Sequence, residues 1–198
     1  MSAAAPLRAS RQVVAAAASR LGPRSLVLVG LMGVGKTAVG RILARRLGRE
    51  LVDTDAAVVS GAGLEIPALF ADEGEAGFRR REAVAVATVM SRKALVVATG
   101  GGAVLLPENR AALRRGLVVW LQATPAELLR RAGAQRAGRT RPLLRGSDPL
   151  GRLEGLLRER TPLYAAVAHL YLDTSGRTPT QVAAALLVAL SQLPSEEA

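Results

Sequence analysis

Gly30-Leu31-Met32-Gly33-Val34-Gly35-Lys36-Thr37 fits the phosphate-loop (Walker A) pattern G-x-x-x-x-G-K-[ST]. Its flanks have the order such a loop requires. Leu26-Val27-Leu28-Val29 reads as a buried strand, and Ala38 to Leu47 as an amphipathic helix. Gly30, Gly33 and Gly35 let the backbone bend so that successive N–H groups point at phosphate oxygens, at the positive end of the following helix. Met32, Gly33, Val34 and Gly35 then contribute mainly backbone to a nucleotide cradle. Lys36 reaches the β- and γ-phosphates, and the Thr37 hydroxyl is placed to ligate a Mg²⁺ that bridges them. The competing reading, a flexible Gly-rich turn, explains neither the Lys-Thr ending nor the flanks.

The chain of 198 residues suits one domain with a substantial core. It is 49% hydrophobic but only 3% aromatic, so Ala, Val and Leu must build that core, and stacking platforms for nucleic-acid bases are nearly absent. Without cysteine there are no disulfides, thiol nucleophiles or Cys-ligated zinc, which fits a reducing compartment. The formal charge of +11 is unevenly spread: no acid precedes Glu50, and six arginines crowd the acid-free stretch between Glu127 and Asp148. An arginine cluster beside a phosphate loop suits ATP and an anionic substrate better than a nucleic-acid backbone. No apolar run approaches the roughly 18 residues of a membrane span.

Residues 1–24 are Ala-rich, carry arginine and no acid, and resemble a transit peptide; the preferred reading is a flexible N-terminal extension of a cytoplasmic protein, with the domain proper at 25–193. Glu50 to Asp53 reads as a second strand ending in Asp53-Thr54-Asp55. At that edge of an α/β sheet the two carboxylates suit metal-water and substrate contacts, and equally a helix cap. Helical character from Leu64 to Met90 is broken at Pro67 and Gly74. Phe78, Ala85, Val86 and Val89 face the core, which leaves open which of Arg79, Arg80 and Arg81 points inward.

A third strand, Ala94 to Thr99, runs into Gly100-Gly101-Gly102, which permits very close approach of a ligand or backbone. Leu117 to Leu121 and Leu170 to Leu172 supply two more strands, with helices opened by Pro107, Pro125 and Pro179 and another from Leu150 toward Arg160. Residues 133–147 read as a lid, and residues 194–198 as a tail. The lone His169 receives no role.

Six motifs together resemble the shikimate kinase family, over about Leu26 to Leu193. They are Gly-Leu-Met-Gly-Val-Gly-Lys-Thr at 30–37, Asp-Thr-Asp at 53–55, Glu-x-x-Phe-Arg at 75–79, Thr-Gly-Gly-Gly at 99–102, Arg-Pro-Leu-Leu at 141–144 and Arg-x-Pro-Leu-Tyr at 160–164. The resemblance implies a three-layer α/β P-loop kinase fold with a five-stranded parallel sheet in order 2-3-1-4-5, a lid and a substrate subdomain. It implies transfer of the γ-phosphate of ATP, with Mg²⁺, to the 3-hydroxyl of shikimate, on the route to chorismate and the aromatic amino acids, by a cytoplasmic monomer.

By the same resemblance Arg79 and Arg160 grip the substrate carboxylate, Asp55 meets the ring hydroxyls, and Gly100, Gly101 and Gly102 approach the substrate. Asp53 positions magnesium through water, and Lys36, Asp55 and Arg141 carry catalysis, with Arg141 closing on ATP. The lid departs from the family pattern ahead of Arg141, so the arginine that stacks on adenine is either Arg131 or Arg136, with Pro179 on the other side of the slot. Two rivals are a gluconate kinase and a catalytically silent kinase-like binding domain. The intact phosphate and substrate motifs speak against the second.

Overall fold

The computed structural model describes residues 9–134 and 148–194. Leu26–Val29 forms β1 at the centre of a five-stranded sheet, because every one of its four side chains is buried. It pairs in parallel with β3 (Val96–Ala98) on one side and β4 (Leu117–Gln122) on the other. Strand β2 (Leu51–Asp53) lies beyond β3 and β5 (Leu170–Asp173) beyond β4, giving the order β2-β3-β1-β4-β5 that was expected.

Alternation along β1 distributes its residues between two helical layers. Leu26 and Leu28 point into a core with α1 (Arg11–Leu21), α2 (Lys36–Leu47) and α8 (Pro179–Ser191). Val27 and Val29 point the other way, against α4 (Ile66–Met90), α5 (Pro107–Leu113) and α7 (Pro149–Val167). Each such side chain contributes about 1.5–3 kcal/mol when fully buried. The short α3 (Thr54–Ala62) and the first part of α4 enclose a third, smaller core of Val58, Leu69 and Phe78. Helix α6 (Pro125–Ala134) follows β4 and ends where the described residues stop.

Of the two breaks expected between Leu64 and Met90, only one is present. Pro67 occupies the first turn of α4, where its missing N–H costs nothing, so it starts the helix rather than breaking it. Gly74 does break it, with φ 66° and ψ −175°. Helix α7, by contrast, runs straight through Pro162.

The N-terminal segment differs from the expected flexible extension. Residues 11–21 are helix α1, capped by the Ser10 hydroxyl, and Ala17 and Leu21 are fully buried against the α2 and α8 layer. The connection to β1 is tied down by Arg49, which donates to the carbonyl of Gly22 at 2.7 Å and also to that of Arg24. Small alanine side chains let α1 lie close to α8, so this stretch is part of the core. Residues 135–147 and 195–198, and with them nearly all of the expected lid and Arg136 and Arg141, lie outside the described residues.

Candidate active site

The phosphate loop takes its shape from three glycines with positive φ: Gly30 at 139°, Gly33 at 83° and Gly35 at 102°. At Gly30 a Cβ would also overlap the carbonyl of Leu121, so the loop lies directly on β4. Gly35 precedes α2 in a left-handed conformation and no side chain caps the helix. The first N–H groups of α2 therefore have no side-chain cap, which suits an anion there. The buried Lys36 ammonium donates to the carbonyls of Gly30 (2.6 Å) and Leu31 (3.1 Å), folded back across the cradle.

Beside it the Thr37 hydroxyl donates to Asp53 Oδ2 at 2.8 Å. Asp53 Oδ1 accepts the N–H groups of Asp55 (3.0 Å) and Ala56 (3.4 Å), so Asp53 caps α3. The two readings of this tripeptide are thus compatible: one carboxylate oxygen caps the helix, and the other faces the phosphate loop. A hydroxyl and a carboxylate so placed are hard oxygen donors of the kind that Mg²⁺ accepts.

Asp55 projects from the first turn of α3 toward Gly100. Burial first, then the neighbouring Asp53 charge, raises its carboxyl above the ordinary aspartate value, and Lys36 and Arg79 oppose that rise. The three glycines after β3 each have a distinct steric reason. A Cβ on Gly100 would strike the Asp55 carboxylate and come within 2.9 Å of Glu82 Oε1. One on Gly101 would lie 3.1 Å from the Met32 nitrogen, so the turn abuts the phosphate loop, and one on Gly102 would overlap the Arg79 guanidinium.

Of the arginine triplet, Arg79 points inward and Arg80 and Arg81 are exposed. Arg79 donates through Nη1 to Glu82 Oε2 (2.7 Å) and through Nη2 to Glu75 Oε1 (3.0 Å). From α7, the buried Arg160 donates to the Gly101 carbonyl at 3.2 Å. One turn on, the fully buried Tyr164 donates its hydroxyl to the same carbonyl at 2.6 Å, and desolvation pushes that phenol well above its usual range.

Asp55, Arg79, Arg160 and Gly100 to Gly102 are thus brought together against the phosphate loop. On the loop's other flank, Gly33, Gly35, Arg131, Thr174 and Pro179 line a cavity of about 400 Å³.

Three residues of this site were not singled out from the sequence. Glu82 is 1% exposed and lies three residues after Arg79, so helical i, i+3 spacing was its available signal. Burial drives its carboxyl upward in pKa and Arg79 counters that. Tyr164, four residues after Arg160, was quoted within a motif without a role. Thr54, fully buried, accepts the Gly100 N–H at 2.9 Å and carried no signal beyond its place between two aspartates. His169 is structural: its Nδ1 accepts the Val118 N–H at 3.0 Å where β5 begins to pair with β4.

A parallel sheet with a phosphate loop at the end of its central strand, next to a glycine turn on which Asp55, Arg79, Glu82 and Arg160 gather, defines a P-loop small-molecule kinase. Comparison with known proteins makes the assignment specific. The shikimate kinase family model matches residues 32–191, and the chain belongs to that family.

It is 54% identical over 169 residues to the shikimate kinase of Symbiobacterium thermophilum, covering 85% of this chain and 97% of that one. It is 47% identical to that of a Synechococcus species over 88% of this chain and 86% of the relative. Among solved structures, Acinetobacter baumannii shikimate kinase in complex with shikimate superposes with a TM-score of 0.81 at 40% identity, over 90% of this chain and 99% of the other. A gluconokinase of Sinorhizobium meliloti reaches 0.55 at 18% identity over 86% and 94%, which shows likeness of fold alone.

Proposed function

We propose that this protein transfers the γ-phosphate of ATP to the 3-hydroxyl of shikimate, giving shikimate 3-phosphate. The observation that carries the reading is the convergence of Asp55, Arg79 and Arg160 on the Gly100–Gly102 turn, which itself lies against the phosphate loop. Family membership and the shikimate-bound relative support the same acceptor. The gluconate reading finds support only in fold.

In this reading Arg79 and Arg160 hold the carboxylate of shikimate by charge-assisted hydrogen bonds. Glu82 and Glu75 fix the Arg79 guanidinium before substrate arrives, which lowers the ordering cost of the clamp. Asp55, ionised, accepts the hydrogen bond of the attacking hydroxyl and orients it, while the Met32–Gly35 backbone and Lys36 bind the phosphates. Lys36 leaves its carbonyl partners for the phosphates on ATP binding. Thr37, with Asp53 acting through water, would hold Mg²⁺, which when bound supplies charge neutralisation between the β- and γ-phosphates. Arg141, outside the described residues, is assigned to ATP by its Arg-Pro-Leu-Leu setting alone.

Arg131, rather than Arg136, is assigned to the adenine slot opposite Pro179, because both line the cavity beside Gly33 and Gly35. We assign the protein to the cytoplasm as a monomer. Among the described residues no helix is long and apolar enough to cross a membrane.

A coupled ADP-release assay with Mg-ATP and a panel of shikimate, gluconate, nucleoside monophosphates and water tests the function. Turnover is expected with shikimate; none from folded protein, or faster turnover with another acceptor, would overturn it.

A further inference from the structure

We propose that Thr174 and Glu127 are positioning residues, which hold the Arg131 guanidinium by its edge so that its flat face forms one wall of a slot for a nucleotide base. The proposal rests on the nucleotide reading of the phosphate loop.

Arg131 comes from α6, and three separate elements occupy its in-plane donors. Its Nε donates to Glu127 Oε1, one helical turn earlier, at 2.8 Å. Nη1 donates to the Thr174 hydroxyl at 3.0 Å and to the Val34 carbonyl of the phosphate loop at 3.1 Å, and Nη2 to the Thr174 carbonyl at 2.6 Å. A guanidinium offers a planar fork of N–H groups and two weakly hydrated faces. Four hydrogen bonds take four of its five N–H groups, so what it mainly turns to the adjoining cavity is a face, which suits a planar π-system.

Thr174 is built for that task. It is 1% exposed, and its hydroxyl has a single hydrogen, donated to the Gln122 carbonyl at the end of β4 at 2.9 Å. The oxygen lone pairs are thereby left for Arg131. The Thr174 N–H donates to the same carbonyl at 2.8 Å, so the residue is pinned to the sheet. Glu127 also holds Arg130 through two bonds of 2.8 Å each, and these partners draw its carboxyl down to about 2, so it stays ionised at any working pH. Because Arg131 also reaches Val34, the base slot and the phosphate loop share one rigid tie.

A simple tie between α6 and the loop after β5 would use the same bonds, and ligand readouts separate the two. Calorimetry on the full chain compares ATP with inorganic tripolyphosphate, which has the phosphates and no base. Thr174→Val removes the hydroxyl at nearly constant shape and Thr174→Ser keeps it; Glu127→Gln is a second, more peripheral variant for the case in which Thr174→Val fails to fold.

The expected result is a loss of ATP affinity of about tenfold in Thr174→Val and Glu127→Gln, the loss typical of one charge-assisted hydrogen bond. Tripolyphosphate affinity should hold, and Thr174→Ser should regain most of the ATP affinity. Unchanged ATP affinity, or equal weakening of both ligands, would overturn the proposal. Both ligands can be titrated without acceptor turnover, so a failure of the shikimate reading would be seen separately.

Discussion

In the proposed reading Asp55 serves chemistry at the expense of the fold. Its carboxyl is raised by burial and by Asp53, so the folded protein binds a proton there more tightly than the unfolded chain does. The sign for stability follows: ionised Asp55 destabilises the fold at neutral pH, and that cost is relieved as pH falls toward its folded pKa. Asp55→Asn should therefore lower kcat by at least about a hundredfold, yet raise the melting temperature at pH 7; a lower melting temperature would contradict this account. In the parent protein, kcat/KM for shikimate should fall with acid at a pH above the ordinary aspartate range, as a pH profile would show.

The clamp makes a separate prediction. Arg79→Ala and Arg160→Ala should raise the KM for shikimate by roughly 10- to 100-fold, from the loss of charge-assisted hydrogen bonds, with little change in the KM for ATP. Gly100→Ala should do the same by driving a methyl group into Asp55.

Among the elements, α1 and α2 are the most informative pair. Helix α2 was legible because a glycine loop, a Lys-Thr start and an apolar stripe all agree on it. Helix α1 has an equally visible sequence, but an Ala-rich amphipathic stretch says nothing of what it packs against. The apolar face of α8, with Ala183, Leu186, Leu187 and Leu190, and to a lesser extent α2 give it partners. Leu21→Ala should accordingly cost about 2–5 kcal/mol by urea unfolding, the range for a buried leucine replaced by alanine. A loss below about 0.5 kcal/mol would return α1 to the status of an appendage. The arginine triplet on α4 carries a similar lesson. Helical periodicity left open which of the three points inward and the family resemblance singled out Arg79; the physical reason, its contacts with Glu82 and Gly102, stands only in space.

At the level of the whole molecule, the loops after β1 and β3 touch, with β2 contributing Asp53 beside them, and in the proposed reading donor and acceptor meet there. Chelation of divalent ions with EDTA should abolish turnover and restoration of Mg²⁺ should recover it; full activity in EDTA would remove Thr37 and Asp53 from their assigned role. ATP and shikimate should each raise the melting temperature, by mass action on the folded state.

What the sequence determined by itself is considerable: five strand runs, the phosphate loop, and the motifs at 30–37, 99–102 and 160–164, whose family resemblance in turn implied the parallel architecture. Those signals are local, since strand runs, glycine loops and helix starts are dictated by near neighbours along the chain. Tertiary structure alone decided the rest. It showed α1 to be core, gave the Arg79 that the resemblance had singled out its Glu82 and Glu75 partners, and gave each of Gly100, Gly101 and Gly102 its own steric partner. It also brought Val34 and Thr174 onto Arg131. Each of these is a contact between residues far apart in sequence or a choice among helical faces, and no local pattern records which distant surface a side chain will meet.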